Sequence, residues 1–535
     1  MRQRDDRNDL DVVIVGAGFA GMYMLHRARS AGLGARVIEA GSDVGGTWYW
    51  NRYPGARCDV ESMEYSYSFD EDLQQEWRWT ERYAGQPEIL RYAGHVADRF
   101  ALRGDICFDT RVTAATFDES AGRWQVETDV NGTFDGQFLV MATGCLSSAM
   151  VPAIEGAESF TGTTFHTGRW PHEGVDFTAK RVAVIGTGSS GIQAVPIIAD
   201  EAAELTVFQR TAAFTVPARN GPLDPDEVAA VKADYVVLRA ANRQMPAAFG
   251  ARVPRRDLGA LDVPENDRLA EYEARWERGG FTFLGSFNDL LLDAAANETA
   301  ADFVRGKIRD AVRDPTTAER LSPSQVIGCK RLCIDTGYYD TFNRPHVHLV
   351  DVTETPIEAI TPSGIRTTTG HHDLDSIVFA TGFDAMTGAL ARIDIRGRGG
   401  RVLRDAWDAG PRTYLGLGIA GFPNLFTVTG PGSPSVLTNM IVSIEHHVEW
   451  ISRCITDLRS QGQATIEATP EAQDAWVDHV NGVAGFTLFP TCNSWYLGAN
   501  VPGKTRVFMP LPGFPDYRAT CDQVAAEGYR GFVLA

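Results

Sequence analysis

No stretch of the chain approaches the ~18 consecutive apolar residues that a membrane-crossing helix needs, so a helical membrane protein is not expected. The opening residues Met1-Arg2-Gln3-Arg4-Asp5-Asp6 are charged where a secretory signal carries its apolar core, and a cytoplasmic location is expected. Cysteine is scarce. Eight among 535 residues make no disulfide framework, and no pair has the two-residue spacing of a zinc or redox motif; Cys329 and Cys333 come nearest, with three residues between them. No metal site is expected. Basic residues are also in deficit, 50 against 69 acidic ones, and the formal charge of −19 disfavours nucleic acid and anionic membrane as partners, although solubility alone would explain it. With 44% hydrophobic content the chain can bury more than one core, and its length suggests about three domains.

Against these absences stand two glycine-rich dinucleotide fingerprints. The first, Gly16-Ala17-Gly18-Phe19-Ala20-Gly21, follows the apolar strand Val12 to Val15, and its unit closes with Val37-Ile38-Glu39. The second, Gly186-Thr187-Gly188-Ser189-Ser190-Gly191, follows Val182 to Ile185 and closes with Val207-Phe208-Gln209-Arg210. In such a motif the first glycine permits the turn, the second lets a pyrophosphate approach the backbone, and the third packs helix against strand, so the phosphates meet a helix N-terminus. The charges at the strand ends then sort the ligands. A carboxylate such as Glu39 accepts hydrogen bonds from a ribose diol and repels a 2′-phosphate, whereas the Arg210 guanidinium matches a phosphate, which reads as FAD first and NADPH second. The competing reading is two NAD-type units with an incidental arginine. Disulfide reductases of the flavoprotein class share the plan but need paired cysteines beside the flavin, and Cys58, the only early cysteine near that unit, has no sequence neighbour.

The expected fold class is α/β, with two Rossmann-like dinucleotide-binding domains and a helical insertion. The FAD unit extends to about residue 145, since Phe138-Leu-Val-Met-Ala-Thr-Gly144 is an apolar strand stopping at a glycine turn. A similar segment, Ile377-Val-Phe-Ala-Thr-Gly-Phe-Asp384, recurs downstream, and such turns mark chain crossings between the two domains. We therefore expect a first FAD part at 1–145, an NADPH domain at 152–377 containing a helical insertion at 220–325, and a second FAD part at 378–535 ending in a C-terminal loop. Within the insertion, Phe303, Val304, Ile308 and Val312 recur at helical spacing as core packing before Pro315 breaks the pattern. Further on, Thr429-Gly-Pro-Gly-Ser-Pro-Ser435 precedes a helical segment, Asn439 to Trp450. This turn either aims N–H groups at a flavin or is an ordinary loop.

Between the two units lies Phe160-Thr-Gly162-Thr-Thr-Phe-His166-Thr-Gly-Arg-Trp170-Pro171. Taken singly, His166 reads as a structural histidine and Trp170 as packing. The whole string, together with both glycine motifs, resembles the fingerprint of type I Baeyer–Villiger monooxygenases, and the resemblance spans essentially the whole chain, closest to the phenylacetone and steroid monooxygenases. It implies that NADPH reduces FAD, that O2 adds at the flavin C4a, and that the resulting peroxyflavin attacks a ketone to give an ester or lactone.

What the resemblance implies for residues is specific. Arg331, in Gly328-Cys-Lys330-Arg331-Leu332, matches the arginine that serves the anionic species, and Asp59 matches its carboxylate partner. Gly46, Thr47 and Trp48 match the segment along the flavin, with Arg57, Tyr65 and Val112 at further FAD positions. Thr187 to Gly191 and Gln193 match contacts to the NADPH pyrophosphate and ribose, and Arg210, Thr211 and Lys330 match contacts to the 2′-phosphate. Trp495 matches a residue of a mobile loop over the nicotinamide, though it could equally anchor a surface loop. His166 becomes a domain-linking residue, with Phe160, Gly162, Trp170 and Pro171 completing the linker fingerprint. Cys145, Leu332, Leu437 and Met440 match positions lining a pocket for a hydrophobic ketone.

Three other readings compete. A flavin N- or S-oxygenase shares the phenylalanine-glycine-histidine frame without the Trp170-Pro171 ending, an uncoupled NADPH oxidase or redox sensor needs neither Arg331 nor Asp59, and an interaction module would have lost cofactor residues that are all present. No obligate protein partner is expected.

Overall fold

Residues 9–535 are described by the structure, a computed structural model. Strand β1 (Asp9–Val15) ends in an unbroken apolar run, Val12 to Val15, because both of its faces are covered there: Val12, Val13 and Ile14 are fully buried. Helix α1 (Phe19–Ser30) follows, then β2 (Ala35–Ile38), β3 (Ile106–Cys107), β4 (Val112–Asp118), β5 (Arg123–Thr128) and β6 (Thr133–Met141). These strands form one sheet in the order β4–β5–β6–β1–β2–β3. Two later segments return to it: Asp394–Arg396 pairs in parallel with β4, and Leu425–Thr427 with the second half of β6. The first sheet is thus completed by chain that lies beyond the second nucleotide unit.

The second sheet contains β7 (Thr163–His166), β8 (Arg181–Ile185) and β9 (Glu204–Gln209). Ser376–Phe379 lies between β7 and β8, and Val347–Asp351 pairs with the outer edge of β9, all in parallel. Both sheets make the same turn. Gly16 and Gly186 have φ of 104° and 113°, and a Cβ on either would lie 2.6 Å from the Ala142 carbonyl oxygen or 2.5 Å from that of Ala380. Each Ala-Thr-Gly turn therefore packs against the first glycine of its own unit. The third glycines are equally constrained, since a Cβ on Gly21 or Gly191 would lie 1.8 or 2.2 Å from the oxygen of Gly16 or Gly186.

Between residues 225 and 321 the chain is mainly helical, with the long helices Glu265–Arg278 and Ala294–Ala311. Val304 and Ile308 are fully buried on the second, and Phe303 packs at its margin. Pro315 does not simply end this helix. After the turn at Val312, it occupies the first position of a new helix, Pro315–Leu321, whose Asp314 side chain caps the Thr317 N–H at 2.8 Å. Helix Met440–Ser460 is capped by Asn439, which accepts from the Ile441 N–H.

The cysteine expectation needs correction. Cys329 and Cys492 form a disulfide across 163 positions, while Cys333, the nearer cysteine in sequence, stays free and buried. Spacing could not reveal this pair because its members lie on separate segments that only the tertiary fold brings together. No helix of the described residues is long and apolar enough to cross a membrane, and no metal-binding cluster of His, Cys, Asp or Glu occurs among them.

Candidate active-site cleft

One cleft of about 1570 Å³ runs between the two sheets and is lined by both glycine turns. That volume exceeds an ordinary single-ligand pocket of roughly 300–1,000 Å³, as a site for two dinucleotides and a substrate must. Of the residues expected at FAD, Gly16, Gly18, Phe19, Ala20 and Glu39 line one end, joined by Gly46, Thr47, Trp48, Arg57, Asp59, Tyr65 and Val112. Gly21 sits beneath the turn. Trp48 donates from its indole N–H to the Tyr65 hydroxyl at 3.1 Å, which fixes both rings against the floor.

Glu39 is 5% exposed, accepting from the Ala17 N–H at 2.6 Å and the Gly41 N–H at 2.7 Å. Burial raises its pKa, and those backbone donors oppose the rise. The second unit differs by one position. Gly16 donates to Ile38 O and Gly186 to Phe208 O, so the residue equivalent to Glu39 is Gln209, with Arg210 one further on. Gln209 is buried, and its amide donates to Arg320 O at 2.6 Å. The buried carboxylate of the first unit is thus replaced by a neutral side chain, and Arg210 projects at the rim of the cleft beside Thr211 and Lys330. Burial lowers the Lys330 pKa, and the neighbouring Arg210 charge lowers it further. Thr187 donates to Thr211 O at 2.8 Å, tying the glycine turn to this polar corner. Ser189 and Ser190 line the same end, and Gly191 packs beneath it.

Gln193 joins the two halves of the cleft. Its carbonyl accepts from the Tyr53 hydroxyl at 2.7 Å, and its amide donates to Arg57 O at 3.1 Å. Arg57 in turn donates to Glu81 at 2.7 Å.

Arg331 is assembled from three distant segments. Its Nε donates to Asp59 Oδ2 at 2.6 Å and its Nη2 to Asp59 Oδ1 at 2.8 Å, a two-bond fork, while Nη1 donates to Val436 O at 2.7 Å. The guanidinium lies over the Phe281 ring at 5.1 Å. Burial alone would lower the Arg331 pKa, but the charge and hydrogen bonds of Asp59 hold it above the usual arginine value, so it stays cationic. About a quarter of each side chain remains accessible from the cleft, 24% for Arg331 and 22% for Asp59. Tyr496 stands beside this pair, its hydroxyl pushed by burial to about 12 against the pull of the Arg331 charge.

Trp495 lines the cleft with Asn493, Asn500 and Pro502, and its ring lies 4.4 Å from that of Tyr496. The loop is docked by Asn500 donating to Phe383 O at 2.7 Å and by the Lys504–Asp384 ion pair. Of the four residues expected at the substrate, Cys145 and Met440 line the cleft. Leu437 packs beside them in the cluster of Met386, Val436 and Trp495. Leu332 departs from the expectation: it is 3% exposed and packs into the core of the second unit, just before the strand Cys333–Asp335.

The linker string has a structural logic. A Cβ on Gly162 would lie 2.4 Å from Asp375 O and 2.6 Å from the Phe160 ring, so Phe160 folds over a residue that can only be glycine. His166 accepts from the Gly168 N–H at Nδ1 (2.9 Å), which leaves the proton on Nε2 facing Met150 O at 3.2 Å. Burial lowers its pKa and keeps it neutral. Trp170 packs with tilted rings against Phe165 and Phe177 in the second core, and Pro171 follows at the surface of that packing. Sequence reasoning missed Tyr53, Phe281, Val436 and Tyr496. Only Tyr496 carried a signal, as the neighbour of Trp495.

Residues 13–233 match the family described as pyridine nucleotide-disulphide oxidoreductase, a span that covers the first unit and the start of the second. A "Baeyer-Villiger monooxygenase" of Pseudooceanicola batsensis is 44% identical over 98% of this chain and 96% of its own length. "Phenazine N-monooxygenase PhzNO1" of Lysobacter antibioticus is 42% identical over 99% and 98%. The solved structure "Oxidized steroid monooxygenase bound to NADP" matches with a TM-score of 0.94 and 55% identity, over 98% of this chain and 99% of that one.

Proposed function

The chain belongs to the Baeyer–Villiger monooxygenases, and from that premise we propose how its own residues divide the work of converting a hydrophobic ketone, with O2, into an ester or lactone. FAD and NADPH are its cofactors. When bound, they supply hydride transfer and the activation of O2. The first glycine turn and Glu39 hold the FAD pyrophosphate and ribose, with the 47–48 segment and Tyr65 along the ring. The second turn holds the NADPH pyrophosphate. Arg210, Thr211 and Lys330 converge on its 2′-phosphate, and replacement of the ribose carboxylate by Gln209 removes the repulsion that would reject it.

One observation carries the chemical assignment: the single cleft shared by both turns has an Arg331 oriented by a bidentate Asp59 and by Val436 O. Three of five guanidinium N–H groups are thereby committed to Asp59 and Val436, and the remaining ones are shared between the Tyr496 hydroxyl and an anionic oxygen. That preorganised charge steadies the negative oxygen that develops when the ketone carbonyl is attacked, a contribution on the order of 3 kcal/mol. Cys145 and Met440, backed by Leu437, present apolar surface to the rest of the ketone. Trp495 covers the nicotinamide, and His166 acts as a neutral hinge-side brace rather than a proton carrier. We place the enzyme in the cytoplasm, with no nucleic-acid or obligate protein partner, consistent with its acidic balance.

A second reading has one observation behind it, the N-monooxygenase relative at a similar identity. The test covers both: purified enzyme is given NADPH and O2 with aryl, cyclic and steroidal ketones and with heteroaromatic amines. Ester or lactone formation from at least one ketone class supports the reading, and N-oxides alone would replace it.

A further inference from the structure

Cys329 precedes Lys330 and Arg331, and Cys492 stands three residues before Trp495. The disulfide between them therefore joins the segment carrying Lys330 and Arg331, both of which line the cleft, to the loop that carries Trp495. We propose that this pair is a thiol–disulfide modification site through which small or protein-borne dithiols control closure of the Trp495 loop. The inference rests on the proposed role of Trp495 and Lys330 only for its effect on coenzyme, not for the bond itself.

The two sulfurs are unequally placed, which sets the direction of exchange. Cys329 is fully buried and Cys492 is half-buried near exposed Thr491 and Asn493. A dithiol's thiolate reaches Cys492 Sγ, forms a mixed disulfide there, and expels the Cys329 thiolate, which takes a proton. The second thiol then attacks the mixed disulfide, releasing Cys492 as thiol. The protein disulfide gains two electrons, the dithiol leaves as its own disulfide, and both protons end on the protein thiols. Oxidation by a low-molecular-weight disulfide runs the same steps in reverse. In reducing compartments, protein disulfides are usually transient, catalytic or redox-sensing, and a half-exposed sulfur suits that use.

The mechanical consequence follows from the other anchors. Without the bond, the loop is held by Leu488 donating to Leu291 O (2.8 Å), Asn500 to Phe383 O, the Lys504–Asp384 pair and Met509 donating to Tyr496 O (3.0 Å). The loop also buries Phe489, Tyr496, Phe508 and Met509 in one cluster with Cys145, Met386 and Val436, so it is the exposed margins at 491–493 and 502–506, rather than this packed centre, that open locally at low cost. A covalent link confines the loop to the Arg331 segment and raises its effective concentration there. Cys333 does not substitute, since it is buried beside Ser189 and burial pushes its thiol to about 11.

The test uses full-length, FAD-loaded enzyme poised with glutathione disulfide or with dithiothreitol. Peptide mass spectrometry after alkylation should find the 329–492 cross-link only in the oxidised sample. Limited trypsin digestion should then cut after Lys504 and Arg506 about ten-fold faster in the reduced enzyme, because cleavage tracks the open population of the loop. The KM for NADPH should rise about three-fold or more on reduction. Cys492→Ser should behave as reduced under both conditions, and Cys107→Ser, in the distant first sheet, should keep the full response. Absence of the cross-link after glutathione disulfide, or equal cleavage in both states despite the cross-link, overturns the inference. Thiol-dependent cleavage in an enzyme that forms no ester would leave this inference standing and overturn the functional reading alone.

Discussion

At the scale of single residues, the two nucleotide units differ by one position in register. Glu39 and Gln209 occupy equivalent places after their strands, and on the proposed function the next residue, Arg210, meets the 2′-phosphate. Arg210→Ala should weaken NADPH binding by about 2 kcal/mol, roughly thirty-fold, and leave NADH nearly unchanged. Gln209→Glu should move preference toward NADH by restoring a ribose acceptor and repelling the phosphate. Dissociation constants for both coenzymes, measured for each variant, check this; equal losses for both would remove Arg210 from its role. Lys330 adds a pH dependence. Burial first and Arg210 second disfavour its charge, so in the free enzyme it gives up its proton below the usual lysine value. NADP+ affinity should therefore fall as pH rises through that lowered value. Arg210→Ala removes one of the two causes, so the fall should move to higher pH even though binding is weaker overall. Calorimetric titration across the alkaline range reads both, and a midpoint that does not move would contradict the pairing. Arg210 and its offset from Glu39 were both legible in the sequence, since Glu39 and Gln209 stand equally far after the first glycine of their motifs, and strand pairing confirms the equivalence.

At the scale of elements, the apolar runs that announced β1, β6 and β8 are buried strands, and Gly16, Gly21, Gly186 and Gly191 beside them sit where a Cβ would strike backbone. These signals are local, so the sequence carries them openly. Pro315 shows the limit of such reading, because a residue that cannot continue one helix is well suited to begin the next when Asp314 caps it. The linker string was recognisable as a pattern, and its physical reason appears only with Asp375, more than 200 positions away in sequence, closing over Gly162. Gly162→Ala should cost about 2–3 kcal/mol of stability, since the Phe160 ring and the Asp375 backbone must both yield. Gly370→Ala, where a Cβ meets nothing within 4 Å, should stay within about 0.5 kcal/mol. Denaturant unfolding of the two variants compares them directly, and equal stability would show that the Phe160 fold-over is not enforced by sterics.

At the scale of the whole molecule, the chain leaves its first sheet, builds a second, and returns, and the cleft forms where the two face each other. Tyr53, Gln193 and Arg57 bridge that gap with hydrogen bonds, and the Trp495 loop closes over it. Arg331 draws on residues 272 and 105 positions away, contacts that leave no trace in local pattern and were accessible from sequence only through family resemblance. Phe281 and Val436 were not accessible at all. The account makes Arg331 necessary for attack on the ketone and dispensable for reduction of the flavin, because hydride transfer needs two aligned rings rather than a stabilised anion. Asp59→Ala should act in the same direction more mildly, and the double variant should not be additive, since one residue orients the other. The most direct measurement is Arg331→Ala holoenzyme with NADPH, O2 and a ketone that the wild type converts, followed by stopped-flow flavin bleaching and chromatographic assay of product. Bleaching that proceeds while ester formation is lost is the predicted result; substantial ester from this variant would contradict the account.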